Sequence, residues 1–237
     1  MIRLLSPHTV ILQGGKMPFF ATDGIAPYSF EVLPGGVGGS IDANGVYTAP
    51  NSCGRDTVRV TDDNSDTQEI EISVMSVIQI LCEIIQTEMS LADDQVYIYN
   101  QRFKIPKDKR LYVSVGIQST QTFGMRRKFD PDTNNLEQTV QLQDTVEINV
   151  YSTEEDALNR KEEVLFALNG LKSENLQAAY GFKVARLTSQ IQNISNLEGP
   201  KIPFRFNITL NILYSKCNTM PVDYYDTFND VEILKNR

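Results

Sequence analysis

Phe204-Arg205-Phe206-Asn207-Ile208-Thr209-Leu210-Asn211-Ile212 decides the fold of the longer half of this chain. Phe204, Phe206, Ile208, Leu210 and Ile212 fall on one side, continued by Tyr214, and Arg205, Asn207, Thr209 and Asn211 fall on the other. Strict alternation marks a strand with one buried face. A second long strand is expected from roughly Thr139 to Tyr151. Val140, Leu142, Val146, Ile148 and Val150 share one face of it, interrupted by Asp144. Its other face carries Thr139, Gln141, Gln143, Thr145, Glu147 and Asn149. Leu111, Val113, Val115 and Ile117 alternate as well, and Val96-Tyr97-Ile98-Tyr99 reads as a further strand.

Helical grammar surrounds these strands. Ser76 followed by Gln79 is a capping box, and Val77, Leu81, Ile84 and Ile85 then recur at helical spacing. Ser152-Thr153-Glu154-Glu155 supplies a second box. The helix expected after it runs through Leu158, Val164, Leu165 and Leu168 to Asn169-Gly170. A shorter helix from Ser173 to Tyr180 ends at Gly181. The expected order is α-β-β-β-α-α-β-β, an α+β domain over residues 76–216 with helices on one face of the sheet. Residues 119–137 show no period and read as a long polar loop. Residues 217–237 read as an extended acidic and aromatic tail.

Residues 1–75 follow another grammar. Gly and Pro punctuate short runs: Thr9-Val10-Ile11-Leu12, Tyr28-Ser29-Phe30-Glu31-Val32, Thr57-Val58-Arg59-Val60 and Glu69-Ile70-Glu71-Ile72-Ser73-Val74. Alternating runs with turn signals between them predict a small β-sandwich. Asn44-Gly45 suits a type I′ hairpin turn.

Composition excludes several classes. The chain has 22 Lys+Arg against 30 Asp+Glu, a formal net charge of −8. Such a chain is a poor general binder of nucleic-acid phosphate. Its single histidine, His8, excludes His-rich metal sites and leaves any His-dependent catalysis to one residue. No run approaches the ~18–20 apolar residues of a membrane helix, and no secretory signal is visible. Cys53, Cys82 and Cys217 are odd in number and widely spaced, so free thiols in a reducing compartment are expected.

The remaining constellations have modest readings. Gly35-Gly36-Val37-Gly38-Gly39-Ser40 lacks the Gly-Lys-Ser/Thr ending of a phosphate loop and reads as a hairpin or bulge. Asp62-Asp63-Asn64-Ser65-Asp66 places Thr67 where a calcium loop needs Gly and Ser73 where it needs Glu, so a solvated turn is expected. No G-x-S-x-G is present, and no catalytic, metal or cofactor residues are assigned. Met125-Arg126-Arg127-Lys128-Phe129 joins the densest basic cluster to apolar flanks and is the candidate interface. Glu147, Asn149, Asn207 and Asn211, on the polar faces of the two long strands, are candidates for lining a channel.

Two stretches resemble known families. Gly38-Gly39-Ser40-Ile41-Asp42-Ala43-Asn44-Gly45-Val46-Tyr47-Thr48-Ala49-Pro50, followed by Asp56-Thr57-Val58, resembles bacterial and phage Ig-like modules, with their G-x-Y-x-A-P hairpin and D-x-V strand. Val146-Glu147-Ile148-Asn149-Val150-Tyr151-Ser152, Asp156 to Val164, Gly181-Phe182-Lys183-Val184-Ala185 and Pro203 to Ile208 are similar to neck and tail-terminator proteins of long-tailed phages. That resemblance implies a homo-oligomeric ring, often a hexamer, at the head–tail junction of a virion assembled in the bacterial cytoplasm. Its implied partners are the tail tube and head-connector proteins, with DNA passing through the channel without specific binding. The chain is then structural, not an enzyme. Two other classes stay open. In the first, the Ig-like half is an adhesin touching cell-surface glycan weakly; in the second, the chain is an enzyme acting on cell-wall glycan.

Overall fold

The computed structural model describes residues 2–99, 108–130, 134–185, 190–195 and 204–221. Strand accounts for 52% and helix for 18% of the described residues, so the fold is β-dominated. Every described helix lies between Val77 and Tyr180.

The first strands are β1 (Arg3–Leu5), β2 (Val10–Leu12), β3 (Lys16–Pro18), β4 (Phe20–Thr22), β5 (Ser29–Val32), β6 (Ser40–Ile41), β7 (Val46–Thr48), β8 (Gly54–Thr61) and β9 (Thr67–Met75). Among the described residues they form a sheet of order β2-β9-β8-β5, a sheet β3-β7-β6 and the pair β1-β4. Ile11, Met17, Phe19, Tyr47, Val58, Val60, Ile72 and Val74 are buried between them. The alternation of β8 and β9 produces this core, because Val58, Val60, Ile72 and Val74 all point inward.

The β6–β7 connection departs from the type I′ expectation. Gly45 has φ of +80°, but Asn44 is not in the left-handed region. The Gly45 N–H donates to the Asp42 carbonyl, and Asp42 Oδ1 accepts from the N–H groups of Asn44 and Val46. This is a type I turn closed by a left-handed glycine, in which Asp42 supplies the local acceptor.

The second half begins with α1 (Val77–Glu88). Ser76 Oγ accepts from the Gln79 N–H at 3.3 Å and Gln79 Oε1 accepts from the Ser76 N–H at 2.8 Å, so the capping box forms. Ser76→Ala is expected to lower stability by about 1 kcal/mol, read as a shift in the urea midpoint. Then follow β10 (Val96–Ile98), β11 (Tyr112–Asp130), β12 (Asn135–Ser152), α2 (Asp156–Arg160), α3 (Glu163–Asn169), α4 (Leu171–Tyr180), β13 (Phe182–Val184), β14 (Ile191–Asn193) and β15 (Phe204–Pro221). Among the described residues the sheet order is β10-β11-β12-β15-β13, with β14 also on β15. β10 is parallel to β11 and the other pairs are antiparallel. Val113, Val115, Val146, Ile148, Val150, Ile208, Leu210 and Ile212 form one core with Ile80, Leu81, Ile84, Ile85, Val164 and Leu168 of the helices.

Four expectations are corrected here. Residues 119–130 and 135–137 are not a loop but strand in the distal half of the β11–β12 pair, with register from Ser119↔Thr145 to Asp130↔Asn135; residues 131–133 lie outside the described residues. Two register shifts, between Ile117/Ser119 and Thr122/Gly124, each flip the alternation, and this erased the period. The helix expected across 154–169 is two helices, and α2 has no side-chain cap. Ser152 instead belongs to β12, where its Oγ donates to the Lys109 carbonyl at 3.1 Å. The element order therefore contains three helices and three strands after β12, not two of each. Finally, β15 runs to Pro221, so a boundary at 216 would cut it; residues 222–237 of the expected tail lie outside the described residues.

Candidate assembly surface

The buried core of the sheet stops at Val146 and Ile212. Val77 and Ile78 of α1 line a small cavity there with Ile117, Asp144 and Tyr214. Beyond it β11, β12 and β15 continue together as a three-stranded ribbon. At roughly 3.3 Å per residue, the run from Ser119 to Asp130 extends about 35–40 Å. Among the described residues β10 pairs only with Val113–Val115, so the outer edge of β11 has no partner strand from Gly116 onward.

The candidate interface residues sit on this ribbon. Met125 pairs with Val140, Arg127 with Gln138 and Phe129 with Leu136, and Lys216, Asn218 and Met220 continue the rows on β15. One face therefore carries Met125, Phe129, Leu136, Val140 and Met220 interspersed with Arg127, Gln138, Lys216 and Asn218, and it is not closed over: Met125 is 63% exposed. Arg126, Arg127 and Lys128 are exposed as well. The sequence placed these five residues on a loop tip; the structure places them along a strand, so alternate residues face opposite ways.

The N-terminal module straddles the opposite, β15 edge of the ribbon. Gly14 has φ of +70°, and a Cβ there would lie 3.3 Å from the Cys217 carbonyl oxygen, so a side chain at this approach is doubly unfavourable. Lys16 Nζ pairs with Glu137 Oε2 at 3.4 Å, and Leu12 belongs to the larger core rather than its own module's. A cleft of about 570 Å³ between them is lined by His8, Lys16, Glu137, Tyr180 and Cys217. The His8 ring lies edge-on to Tyr180 with centroids 5.8 Å apart. Cys217 Sγ lies 3.2 Å from Glu137 Oε1, and burial together with this bond pushes the thiol up. A thiol so held stays protonated, the opposite of an activated nucleophile.

The candidate channel residues are placed differently from one another. Asn149 and Asn207 are only 3% and 7% exposed, which corrects their reading as solvent-facing. Asn207 Nδ2 donates to Asn149 Oδ1 at 3.2 Å and to Glu147 Oε1, and Gln118 Nε2 donates to Glu147 Oε2 at 3.2 Å. Thr145 Oγ1 lies 3.1 Å from Asn211 Oδ1 in the next rung. This ladder lets amides alternate with aliphatic residues without leaving buried polar groups unmatched. Glu147 and Asn211 are half-buried, and they alone of the four reach the surface.

Further along the same face, Tyr97, Tyr112 and Tyr151 stack with centroid spacings of 5.9 and 5.8 Å. Arg110 lies 5.4 Å over the Tyr112 ring and grips both oxygens of Asp94 at 3.0 and 2.8 Å. The Arg110 bond holds Asp94 below the usual carboxylate range. This cluster was not singled out from the sequence, because its members come from three separated segments, 94–97, 110–112 and 151. It ties the start of β11 to β10 and to the end of β12.

No family model matches the chain, and no curated protein matches it. Of the solved structures similar to the chain in part, two serve as examples. One is an intimin mutant from EHEC O157:H7, with 15% identity and a TM-score of 0.27 over 43% of this chain and 61% of that one. The other is the sheath/tube terminator of PVC, an extracellular contractile injection system, in its extended state. It shows 15% identity and a TM-score of 0.37 over 67% of this chain and 64% of that one. In each case the chain spans less than two thirds of its neighbour's length.

Two loops singled out in the sequence prove to be self-liganded. Asp56, 1% exposed, accepts from the N–H groups of Gly38 at 3.2 Å and Gly39 at 2.8 Å and from the Tyr47 hydroxyl at 2.5 Å. The glycine run thus cradles an anion, and the anion is the protein's own carboxylate. A Cβ at Gly39 would come 2.4 Å from the Tyr47 hydroxyl oxygen, which explains glycine there. Asp62 likewise accepts from the N–H groups of Ile25, Asn64 and Asp66 at 3.1, 3.0 and 2.9 Å, closing the β8–β9 turn.

Proposed function

We propose that this chain is a non-enzymatic structural subunit that closes with identical copies into a ring, caps a tail tube at the head–tail junction and leaves a channel for DNA. The observation that carries the reading is the β11–β12–β15 ribbon, which extends past the helices with Met125 and Phe129 exposed on one face and, among the described residues, no partner strand on its β11 edge. Monomeric proteins cover or shorten such edges and faces, so one this long is built to meet another chain. The sequence segments similar to tail-terminator proteins support the choice of ring. The tube and the head connector are its proposed partners, and a hexamer its proposed form. Glu147 and Asn211 are the polar-face residues able to contribute to the channel wall, where an anionic or neutral surface would repel passing phosphate.

Native mass spectrometry of the full chain, followed by electron microscopy, tests this. A closed ring that seats on the ends of isolated tail tubes is expected. A chain that stays monomeric at its highest soluble concentration rejects it. The adhesin reading has one observation in its favour, the exposed cross-strand pair Leu5↔Phe20 on the N-terminal module, at 49% and 58% exposure. Binding of the full chain to a glycan array, lost in L5S/F20S, would favour that reading instead.

A further inference from the structure

We infer that the Met125-Arg126-Arg127 segment of one copy docks on the helical corner formed by α1, α3 and α4 of the next copy; this rests on the ring reading above and names its interface. The corner carries the two most exposed large apolar side chains of the described residues, Phe166 at 75% and Leu171 at 74%. They flank Gly170, where α3 gives way to α4. Glu88 Oε2 lies 3.7 Å from the Cβ position of Gly170, and Glu174 occupies the first turn of α4. Glu88 and Glu174 are exposed and form no ion pair among the described residues. The corner is thus an apolar knob with two carboxylates that outnumber the one lysine beside it, Lys172.

The ribbon presents the complement. Met125 is 63% exposed with Arg127 exposed on the same face, and neither Arg127 nor its exposed neighbour Arg126, which leaves the strand on the other face, forms an ion pair among the described residues. A flexible thioether against an aromatic ring and a leucine, rimmed by guanidinium–carboxylate pairs, is ordinary interface chemistry. The edge of β11 is a poorer candidate for a long strand-to-strand contact. Its two register shifts interrupt the row of N–H and C=O groups, and its cations repel a like edge. Side-chain docking by the face fits this segment better than added strand pairing.

The two patches do not meet within one chain. Val77 and Ile78, at the start of α1, lie beside Asp144, whereas Glu88, at its end, lies beside Gly170. The 12 residues of α1 span about 18 Å. Met125 lies beyond Asp144, opposite Val140, on the far side of Asp144 from the helices' core residues, so the two patches sit toward opposite ends of this half of the chain. Two different, complementary patches on one subunit make a head-to-tail contact, and this class of contact closes rings.

The test is a charge swap in the full chain, read by sedimentation velocity and native mass spectrometry. R126E/R127E is expected to lose the assembly, and E88K/E174K to lose it equally. The two pairs combined are expected to restore it. Circular dichroism checks that each exposed substitution leaves the fold intact. An assembly that keeps its size in both one-sided variants overturns the docking and leaves the ring reading standing. Loss in both variants without recovery in the combination also overturns the pairing. A wild-type chain that never assembles rejects the ring reading, and the docking falls with it.

Discussion

Asp56→Ala is expected to cost the N-terminal module about 3–5 kcal/mol, enough to unfold it well before the wild type in urea. The Asp56 carboxylate is the sole acceptor named above for the Tyr47 hydroxyl, and Tyr47 is fully buried. Its removal strands that hydroxyl away from water and takes the acceptor from the N–H groups of the half-buried Gly39 and the exposed Gly38. The first loss is a desolvation penalty, and the other two are nearer the modest net worth of a partly exposed bond. Burial alone would raise the Asp56 pKa, but the bonds from Tyr47, Gly39, Gly38 and Val37 outweigh it and hold the carboxyl below its usual range. The fold therefore favours the ionised form. The resulting stability is present above the unfolded carboxylate value of about 3.9 and is lost as pH falls through the lower, folded value. Stability of the module should be flat from neutrality to about pH 5 as far as this group is concerned, with the loss concentrated below about pH 4. Tyrosine fluorescence in urea at a series of pH values measures both effects. A variant within 1 kcal/mol of wild type, or one with an unchanged acid limb, would show that the glycine loop holds itself without the carboxylate.

How much of this was legible beforehand depended on whether a segment has one buried face and keeps it. Phe204 to Tyr214 and Val146 to Val150 do, and their pattern carried over directly into β15 and β12. Ser76 and Gln79 were legible because a capping box is satisfied by residues three apart, without reference to the rest of the fold. The ribbon was not, for the opposite reason. Its outer strand reaches solvent, so Thr120, Gln121 and Thr122 are as acceptable there as valines, and its register shifts disguise what alternation remains. Asn149 and Asn207 failed differently. Polar residues alternating with apolar ones look solvated, and only the register Asn149↔Asn207 shows that they satisfy each other. The candidate interface was found as a composition, basic residues between Met125 and Phe129, whereas its counterpart at Phe166 and Leu171 was missed. Phe166 lies two residues past Val164, on the side of α3 away from buried Val164 and Leu168, and Leu171 lies just past the break between α3 and α4, so neither takes part in the apolar spacing that was read.

Asp144 supplies the second large effect, because it stands where the ribbon leaves the body. It lies on the apolar face of β12 and is 2% exposed. Thr120 Oγ1 donates to its Oδ1 at 2.6 Å and the Tyr214 hydroxyl to its Oδ2 at 2.9 Å. Thr120 belongs to β11 just past the first register shift, and Tyr214 to β15. One carboxylate therefore clamps all three strands at the root of the ribbon. Burial, then the bond to Asp144, keeps the Tyr214 hydroxyl protonated as a donor. Asp144→Ala takes the acceptor from the half-buried Tyr214 hydroxyl and the exposed Thr120 hydroxyl, and is expected to cost about 1–3 kcal/mol. The triple change T120V/D144L/Y214F removes donors and acceptor together, and it should recover most of that loss, since a matched apolar set is often as stable as the polar one it replaces. Urea unfolding of the two variants separates stability from geometry. If Asp144→Ala proves nearly neutral, the clamp is not a clamp. If the triple variant is as unstable as Asp144→Ala, the cost lies in packing volume at the root rather than in unmatched hydrogen bonds. A triple variant that regains stability but assembles poorly would mean that the polar contacts hold the ribbon at the angle assembly needs, because apolar groups of equal volume fill the same space without fixing a direction.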